Sequence, residues 1–243
     1  MATTASAPTS TVHKQPYAAI DPARPELSQK DRVVLVTGSS SGIGFAIARS
    51  FAKAQAAIVI LTGRQQASLY KAVDILKLQF PNTQFIGKAI DIADSDAVGL
   101  LWDQLDTEDL VVDVLILNAA RIQPKVASML DLGYEEVVAD FATNVGGNMK
   151  LADCFYHQRK RDMAKRLSLL NVSTMAIHDF EVASDMPNYS ASKNAGTIVM
   201  QQIARDVAPR DMQVISFHPG AIFTAAAQKS GYTKTSLPWD NGK

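Results

Sequence analysis

Short apolar runs rich in Val, Ile and Leu recur along the chain at 33–36, 57–62, 83–90, 111–117, 168–172 and 212–217. Runs of this length without a polar residue at every second position read as strands buried on both faces. The segments between them carry apolar residues at helical spacing. Ile43, Ile47 and Phe51 mark one helix, within 32–54. Leu69, Val73, Leu76 and Phe80 mark a second, over 66–79, broken by Pro81-Asn82. Asp94 or Ser95 can cap a third, which carries Val98, Leu101, Trp102 and Leu105. Two longer helices are predicted at 133–160 and 188–207. Strands that alternate with helices predict an α/β fold with a doubly wound parallel sheet. Six strands are visible. In such sheets a ligand lies outside the carboxyl ends of the strands, here Gly38, Arg64, Asp91, Asn118, Ser173 and Pro219.

The first 30 residues break this pattern. They hold four of the ten prolines and no hydrophobic period. They read as a disordered start passing into an extended arm, in which Tyr17, Ile20 and Leu27 could dock on the surface. Residues 31–243 are expected to form one domain, a length that suits a single α/β core.

The strand at 33–36 runs into Thr37-Gly38-Ser39-Ser40-Ser41-Gly42-Ile43-Gly44 and then into a helix. Strand, glycine turn and helix are the context a phosphate-binding turn requires. Gly38 lets the chain turn sharply. Gly42 keeps side chains away where N–H groups approach a pyrophosphate, and Gly44 lets helix and strand pack closely.

Composition narrows the partners. The formal net charge is zero, which implies no general attraction to nucleic acid or an acidic membrane surface. No apolar run reaches the roughly eighteen residues of a membrane span. The first ten residues lack the apolar core of a secretory signal. The single cysteine, Cys154, allows no internal disulfide. A cytoplasmic, reducing location is the expectation, with Cys154 a small buried hydrophobe. No metal site is expected.

Tyr189-Ser190-Ala191-Ser192-Lys193 places a phenol and an ammonium four residues apart, on one helical face. A free tyrosine titrates near 10. A nearby ammonium favours the phenolate and lowers that value. Such a tyrosine can protonate a carbonyl oxygen as hydride arrives, or deprotonate an alcohol as hydride leaves.

With the glycine turn, the chain resembles the short-chain dehydrogenase/reductase family, in its compact single-domain branch, over about residues 32–224. The matched motifs are Thr-Gly-x3-Gly-Ile-Gly, Asp91, Asn118-Ala119, Asn144, Tyr-x3-Lys and Pro-Gly-x3-Thr. The arm with Tyr17, Pro22 and 24–28 is similar to fungal members often met in secondary metabolism. The resemblance implies a Rossmann-like fold and assigns roles. Tyr189 would be the acid/base. Lys193 would lower its pKa and bind the nicotinamide ribose. Asn144 would hold a water in a proton relay. Gly38, Ser40, Ser41, Gly42, Ile43 and Gly44 would form the phosphate turn. Asp91 and Ile92 would meet the adenine, and Asn118 and Ala119 would lie along the cofactor. Pro219, Gly220, Ile222 and Thr224 would border the nicotinamide. The two long helices are where family members dimerise or form tetramers, so a homo-oligomer is implied.

The cofactor preference rests on chemistry at the end of the second strand. An acid there would hold a ribose 2′-hydroxyl, as in NAD-specific members. This chain has Gly63-Arg64 instead. A guanidinium with no competing carboxylate favours NADP.

Several positions depart from the family pattern. The usual serine pair is Ser173-Thr174, and either hydroxyl could be catalytic. Ala120 and Gln55 stand where glycine is usual. Arg121 and His178 could reach the substrate mouth, but read more simply as solvated loop residues. After Thr224 only Ala225 to Lys243 remain, with no seventh strand visible, so the sixth strand is expected as an exposed edge. The leading expectation is therefore an NADP-dependent oxidoreductase that interconverts a small-molecule ketone or aldehyde and an alcohol. Its alternatives are a catalytically weak NADP-binding scaffold, and a dehydration or epimerisation on the same Tyr-Lys pair.

Overall fold

A computed structural model describes residues 13–122, 128–178, 186–236, 239 and 240. Its strands are β1 (Val33–Val36), β2 (Ile58–Gly63), β3 (Gln84–Ala89), β4 (Val114–Leu117), β5 (Leu167–Val172) and β6 (Met212–Phe217). They form one parallel sheet in the order β3-β2-β1-β4-β5-β6. The chain starts at the centre, winds outward through β2 and β3, then returns to build β4 to β6 on the other side. The reversal lies between β1 and β4, where sheets of this kind place their ligand crevice.

Each central strand feeds two cores. Leu35 and Ile60 point into one cluster with Val98, Leu101, Trp102, Leu115, Phe155 and Met200. Val34, Val36, Val59 and Leu61 point into the other, with Ala48, Leu69, Val73 and Leu76. This is why the strand runs are apolar without alternation: both faces are covered. Each fully buried Leu or Val contributes about 1.5–3 kcal/mol.

The first cluster is covered by α3 (Ser95–Thr107), α6 (Asn148–Tyr156) and α7 (Pro187–Asp206), the second by α1 (Gly42–Lys53) and α2 (Gln66–Gln79). Asp94 caps α3, its side chain accepting from Asp96 and Ala97 N–H groups, both at 3.0 Å. Cys154 is half-buried against the first cluster, and burial pushes its thiol pKa up.

The long helix predicted at 133–160 is not uniform. A short α4 (Met129–Leu132) precedes α5 (Tyr134–Phe141), a π turn over Ala142–Gly147, and then α6. The wider turn lets the Asn148 side chain donate to the Asn144 carbonyl at 3.0 Å. Gly196 of α7 meets the same carbonyl, since a Cβ on it would lie 2.7 Å away. Asn144 therefore sits in a π turn, and π turns concentrate at functional sites.

The arm has local structure over its described part, with 3-10 turns at Ala18–Ile20 and Pro25–Leu27. Tyr17, Ile20 and Leu27 stay largely exposed. Lys53 of α1 ties the arm down through Asp21 at 2.7 Å. Beyond β6, α8 (Ala225–Lys229) leads into a tail that returns to the loop after β6. Asp240 forms a parallel bridge to Ile222, and its carboxylate accepts from Ala221 N–H at 2.8 Å. Trp239 packs edge-on against Phe223 and Tyr232. Among the described residues no strand pairs with the outer edge of β6, where Ile215 is exposed.

Candidate active site

The glycine turn after β1 is braced from β4. Thr37, fully buried, donates through Oγ1 to Ile116 O and accepts from the N–H groups of Asn118 and Ala119 at 2.9 and 3.0 Å. The Asn118 amide donates back to the carbonyls of Thr37 (2.8 Å) and Gly38 (3.1 Å). Gly38 has φ +62°, and a Cβ on it would lie 2.8 Å from Ala119 Cα. A Cβ on Gly44 would lie 2.5 Å from both Asn118 Nδ2 and Gly38 O. Both glycines are thus required by close approach.

Ser41 precedes α1 without capping it through its side chain. Ser41 and Gly42 are exposed, and Ile43 and Gly44 follow in the first turn. The first N–H groups of the helix consequently face outward beside the positive end of its dipole. This arrangement fits a phosphate group. Ser40 lies beside the end of β2, its Oγ 3.4 Å from where a Gly63 Cβ would be. Arg64 follows, exposed, with no carboxylate partner among the described residues. Asp91 is exposed after β3 and accepts from Ala93 N–H at 3.0 Å. Ile92 is buried in the first core cluster. Thr224 caps α8 through Ala227 N–H (3.1 Å), and its Cγ2 comes within 3.5 Å of a Cβ built on Gly42. Thr224, at the end of the loop after β6, therefore lies against Gly42 of the glycine turn.

The hydroxyls at the end of β5 separate clearly. Ser173 is buried, and its Oγ bonds Thr197 Oγ1 of α7 at 2.8 Å. Thr174 is half-buried, its Oγ1 accepts from Ala176 N–H at 3.4 Å, and its hydroxyl lies near enough to the Tyr189 phenol to influence its pKa. Burial pushes that phenol above the ordinary tyrosine value, the neighbouring Thr174 hydroxyl pulls the other way, and the nearby Tyr232 adds to the rise. The Lys193 ammonium is buried and donates to Val172 O at 2.6 Å. Burial lowers its pKa to about 8. The sequence argument made Lys193 the group that lowers Tyr189. Here one of the ammonium's three N–H donors goes to a main-chain carbonyl, and burial is the largest cause of both shifts.

Asn144 is buried and held by three contacts. Its Oδ1 accepts from Arg121 N–H at 2.8 Å, and its Nδ2 donates to Arg121 O (3.0 Å) and Ser192 Oγ (2.9 Å). Arg121 is not the solvated loop residue its position suggests. Its guanidinium binds Asp140 at 2.6 Å and Glu136 at 2.5 Å. Burial works against that charge, but the two carboxylates together raise its pKa. His178 is exposed, next to residues outside the described set. Sequence reasoning named Thr37 only as part of the turn motif, and missed Asp140 and Asn188. Thr37 carried a signal, as the residue before the first glycine. Asp140 and Asn188 carried none, because their partners lie 19 and 48 residues away.

A parallel sheet with its glycine turn at the β1/β4 reversal, and a Tyr-Thr-Lys group at the end of β5, define a dinucleotide-binding oxidoreductase fold. The chain belongs to the short chain dehydrogenase family, whose model matches residues 32–235. A short chain dehydrogenase/reductase of Claviceps purpurea is 30% identical over 96% of this chain and 76% of its own length. The short chain dehydrogenase/reductase AacuD of Aspergillus aculeatus is 29% identical over 96% of this chain and 78% of its own. Among solved structures, L-sorbose reductase from Gluconobacter frateurii, complexed with NADPH and L-sorbose, superposes with a TM-score of 0.73 at 23% identity, covering 84% of this chain and 74% of that one. A short-chain type dehydrogenase/reductase from Mycobacterium marinum gives 0.76 at 24% identity, covering 84% and 78%. At these identities the structural likeness speaks to the fold.

Proposed function

We propose that the protein is an NADP-dependent oxidoreductase that interconverts a small-molecule ketone or aldehyde and the corresponding alcohol. The Tyr189 phenol near the Thr174 hydroxyl, with the buried Lys193 four residues along the same helix, carries this reading. When bound, the nicotinamide supplies or accepts the hydride. Gly38, Ser40, Ser41, Gly42, Ile43 and Gly44 would hold its pyrophosphate, Arg64 a ribose 2′-phosphate, and Asp91 and Ile92 the adenine. Asn118 and Ala119 would line the middle, and Pro219, Gly220, Ile222 and Thr224 the nicotinamide end.

The Tyr189 phenol, kept protonated at neutral pH by burial, donates its proton to the substrate oxygen. Thr174 Oγ1 donates a hydrogen bond to the same oxygen, stabilising the charge that develops there. Lys193, still protonated at pH 7, holds positive charge at the end of β5. Asn144 fixes the loop after β4 to α7, and its engaged amide leaves a supporting role. Ser173, bonded to Thr197, supports the packing of α7 on β5.

The similarity to fungal relatives favours a fungal-type metabolite as substrate. Tyr134, Val138, Met149 and Ile198 leave apolar side chains exposed on α5, α6 and α7, which supports association of two copies there. Among the described residues no helix is long and apolar enough to cross a membrane. The intact Tyr189, Thr174 and Lys193 favour an enzyme over a scaffold.

The test is NADPH oxidation against a panel of ketones and aldehydes, with Tyr189→Phe alongside. General acid catalysis is worth about 10²–10⁴ in rate. The variant is expected to lose about that much kcat while its NADPH dissociation constant stays within about threefold. Turnover by Tyr189→Phe equal to the parent would discard the mechanism.

A further inference from the structure

The most unusual group near the site is a carboxylate that no motif announces. Asp140, at the end of α5, is fully buried. Its Oδ1 accepts from Arg121 Nη1 at 2.6 Å, and its Oδ2 accepts from Asn188 Nδ2 at 2.6 Å. Both distances are short, as bonds to an ionised carboxylate are. Arg121 lies in the segment that follows β4, and the Asn144 amide grips its main chain on both sides. The same amide reaches Ser192 of α7.

The contacts on α7 have a useful spacing. Asn188 and Ser192 are four residues apart, so they share one helical face. Tyr189 and Lys193 follow each of them by one residue, on the adjacent face. Asp140 holds the first turn and Asn144 the second, and Arg121 joins the two. A helix gripped at two points on one face cannot rotate freely about its axis. Rotation is the motion that would carry the Tyr189 phenol away from Thr174.

Burying an ion pair is a poor way to gain stability, since desolvation offsets most of the attraction. Its value lies in fixing a geometry. We propose that Asp140 and Arg121 are positioning residues: through Asn188 and Asn144 they set the rotation of α7, and with it the aim of Tyr189. This rests on Tyr189 being the proton donor.

The test exchanges donor and acceptor. In Asp140→Asn the new amide cannot accept from both Arg121 and Asn188. In Asn188→Asp two carboxylates face each other. In the double variant Asp140→Asn/Asn188→Asp the amide donates to the new carboxylate and still accepts from Arg121. Activity is measured per NADPH-binding site, so unfolded protein does not count. Misplacement by about 1 Å can cost on the order of a hundredfold. Each single variant should lose about ten- to a hundredfold in kcat, with the KM for NADPH within about threefold, and the double variant should recover most of it. Unchanged kcat per site in both singles, or a double no better than the worse single, overturns the proposal. Should Asp140→Asn fail to fold, Arg121→Lys keeps the charge and loses the fork, and the same drop in kcat is expected. An unchanged kcat per site there overturns it equally. Turnover retained in Tyr189→Phe would sink the reading of Tyr189. Turnover lost there but kept in Asp140→Asn would sink the network alone.

Discussion

The glycine turn after β1 and the catalytic face of α7 open on the same crevice but are built from different material. The turn is mostly main chain. Gly38, Gly42 and Gly44 remove side chains, Ser41 leaves the helix end uncapped, and Thr37 and Asn118 brace the bend from within a few residues of the strand ends. The α7 face is made of buried side chains held by other side chains. Tyr189 leans on Thr174, Lys193 on Val172, Asn188 on Asp140 and Ser192 on Asn144. A site made by removing atoms tolerates loss of a side chain and fails on addition. A site made by side-chain contacts fails on truncation. Binding of the cofactor and chemistry on the substrate should therefore respond to different classes of substitution.

The sharpest break in that comparison sits at two neighbouring hydroxyls. Thr174→Ala removes the donor next to Tyr189 and should cost about 10²–10³ in kcat, the loss seen when one such donor goes. Ser173→Ala removes a buried hydrogen bond to Thr197. It should cost about 1 kcal/mol of stability and leave kcat within a few-fold. Steady-state kinetics with urea unfolding of both variants reads this directly. A larger kcat loss in Ser173→Ala than in Thr174→Ala would reverse the assignment.

The same division explains what the sequence made legible. The strands and most helices follow from apolar periodicity, because both faces of the central strands β1, β2 and β4 are covered and those runs are almost wholly apolar. The glycine turn was legible because its residues are contiguous and each has a steric reason. The Tyr189–Lys193 pair was legible as a spacing, but not in its electrostatics. Whether a lysine faces a phenol or a carbonyl depends on where β5 ends, which no local pattern records. The π turn escaped because one extra residue in a helix barely disturbs a 3.6-residue period. Arg121 was misjudged as solvated because its partners, Glu136 and Asp140, come from another element.

On the cradle side the expected effect is smaller. Arg64 is the one strongly charged group at the end of β2, exposed and without a carboxylate partner among the described residues. A charge-assisted contact to a 2′-phosphate contributes about 1.5–3 kcal/mol. Arg64→Ala should reduce the ratio of kcat/KM for NADPH over NADH by about ten- to a hundredfold. It should leave kcat at saturating cofactor unchanged. A ratio indifferent to the substitution, or a parent enzyme that prefers NADH, would remove Arg64 from the cofactor site.

The smallest effect tests the electrostatics of the α7 face without any substrate. Burial lowers the Lys193 pKa from 10.5 to about 8 in the folded protein. Between those values the unfolded chain binds a proton that the folded one has released, so stability rises with pH across that window. Below about 8 the folded state carries the cost of the buried ammonium in full. Tyr189 acts in the opposite sense, but only above the ordinary tyrosine value near 10, where the unfolded phenol ionises and the folded one does not. Cys154, whose thiol pKa burial raises, opposes this within the window but is common to parent and variant, so the difference between parent and Lys193→Met belongs to Lys193. At roughly 1.36 kcal/mol per pH unit, the cofactor-free parent should gain on the order of 2 kcal/mol over Lys193→Met between pH 8 and 10. Urea unfolding of both proteins at four pH values in that range measures the difference. Parallel curves would mean that Lys193 stays hydrated in solution, and the α7 face would then be a more open, more cradle-like surface than its hydrogen bonds indicate.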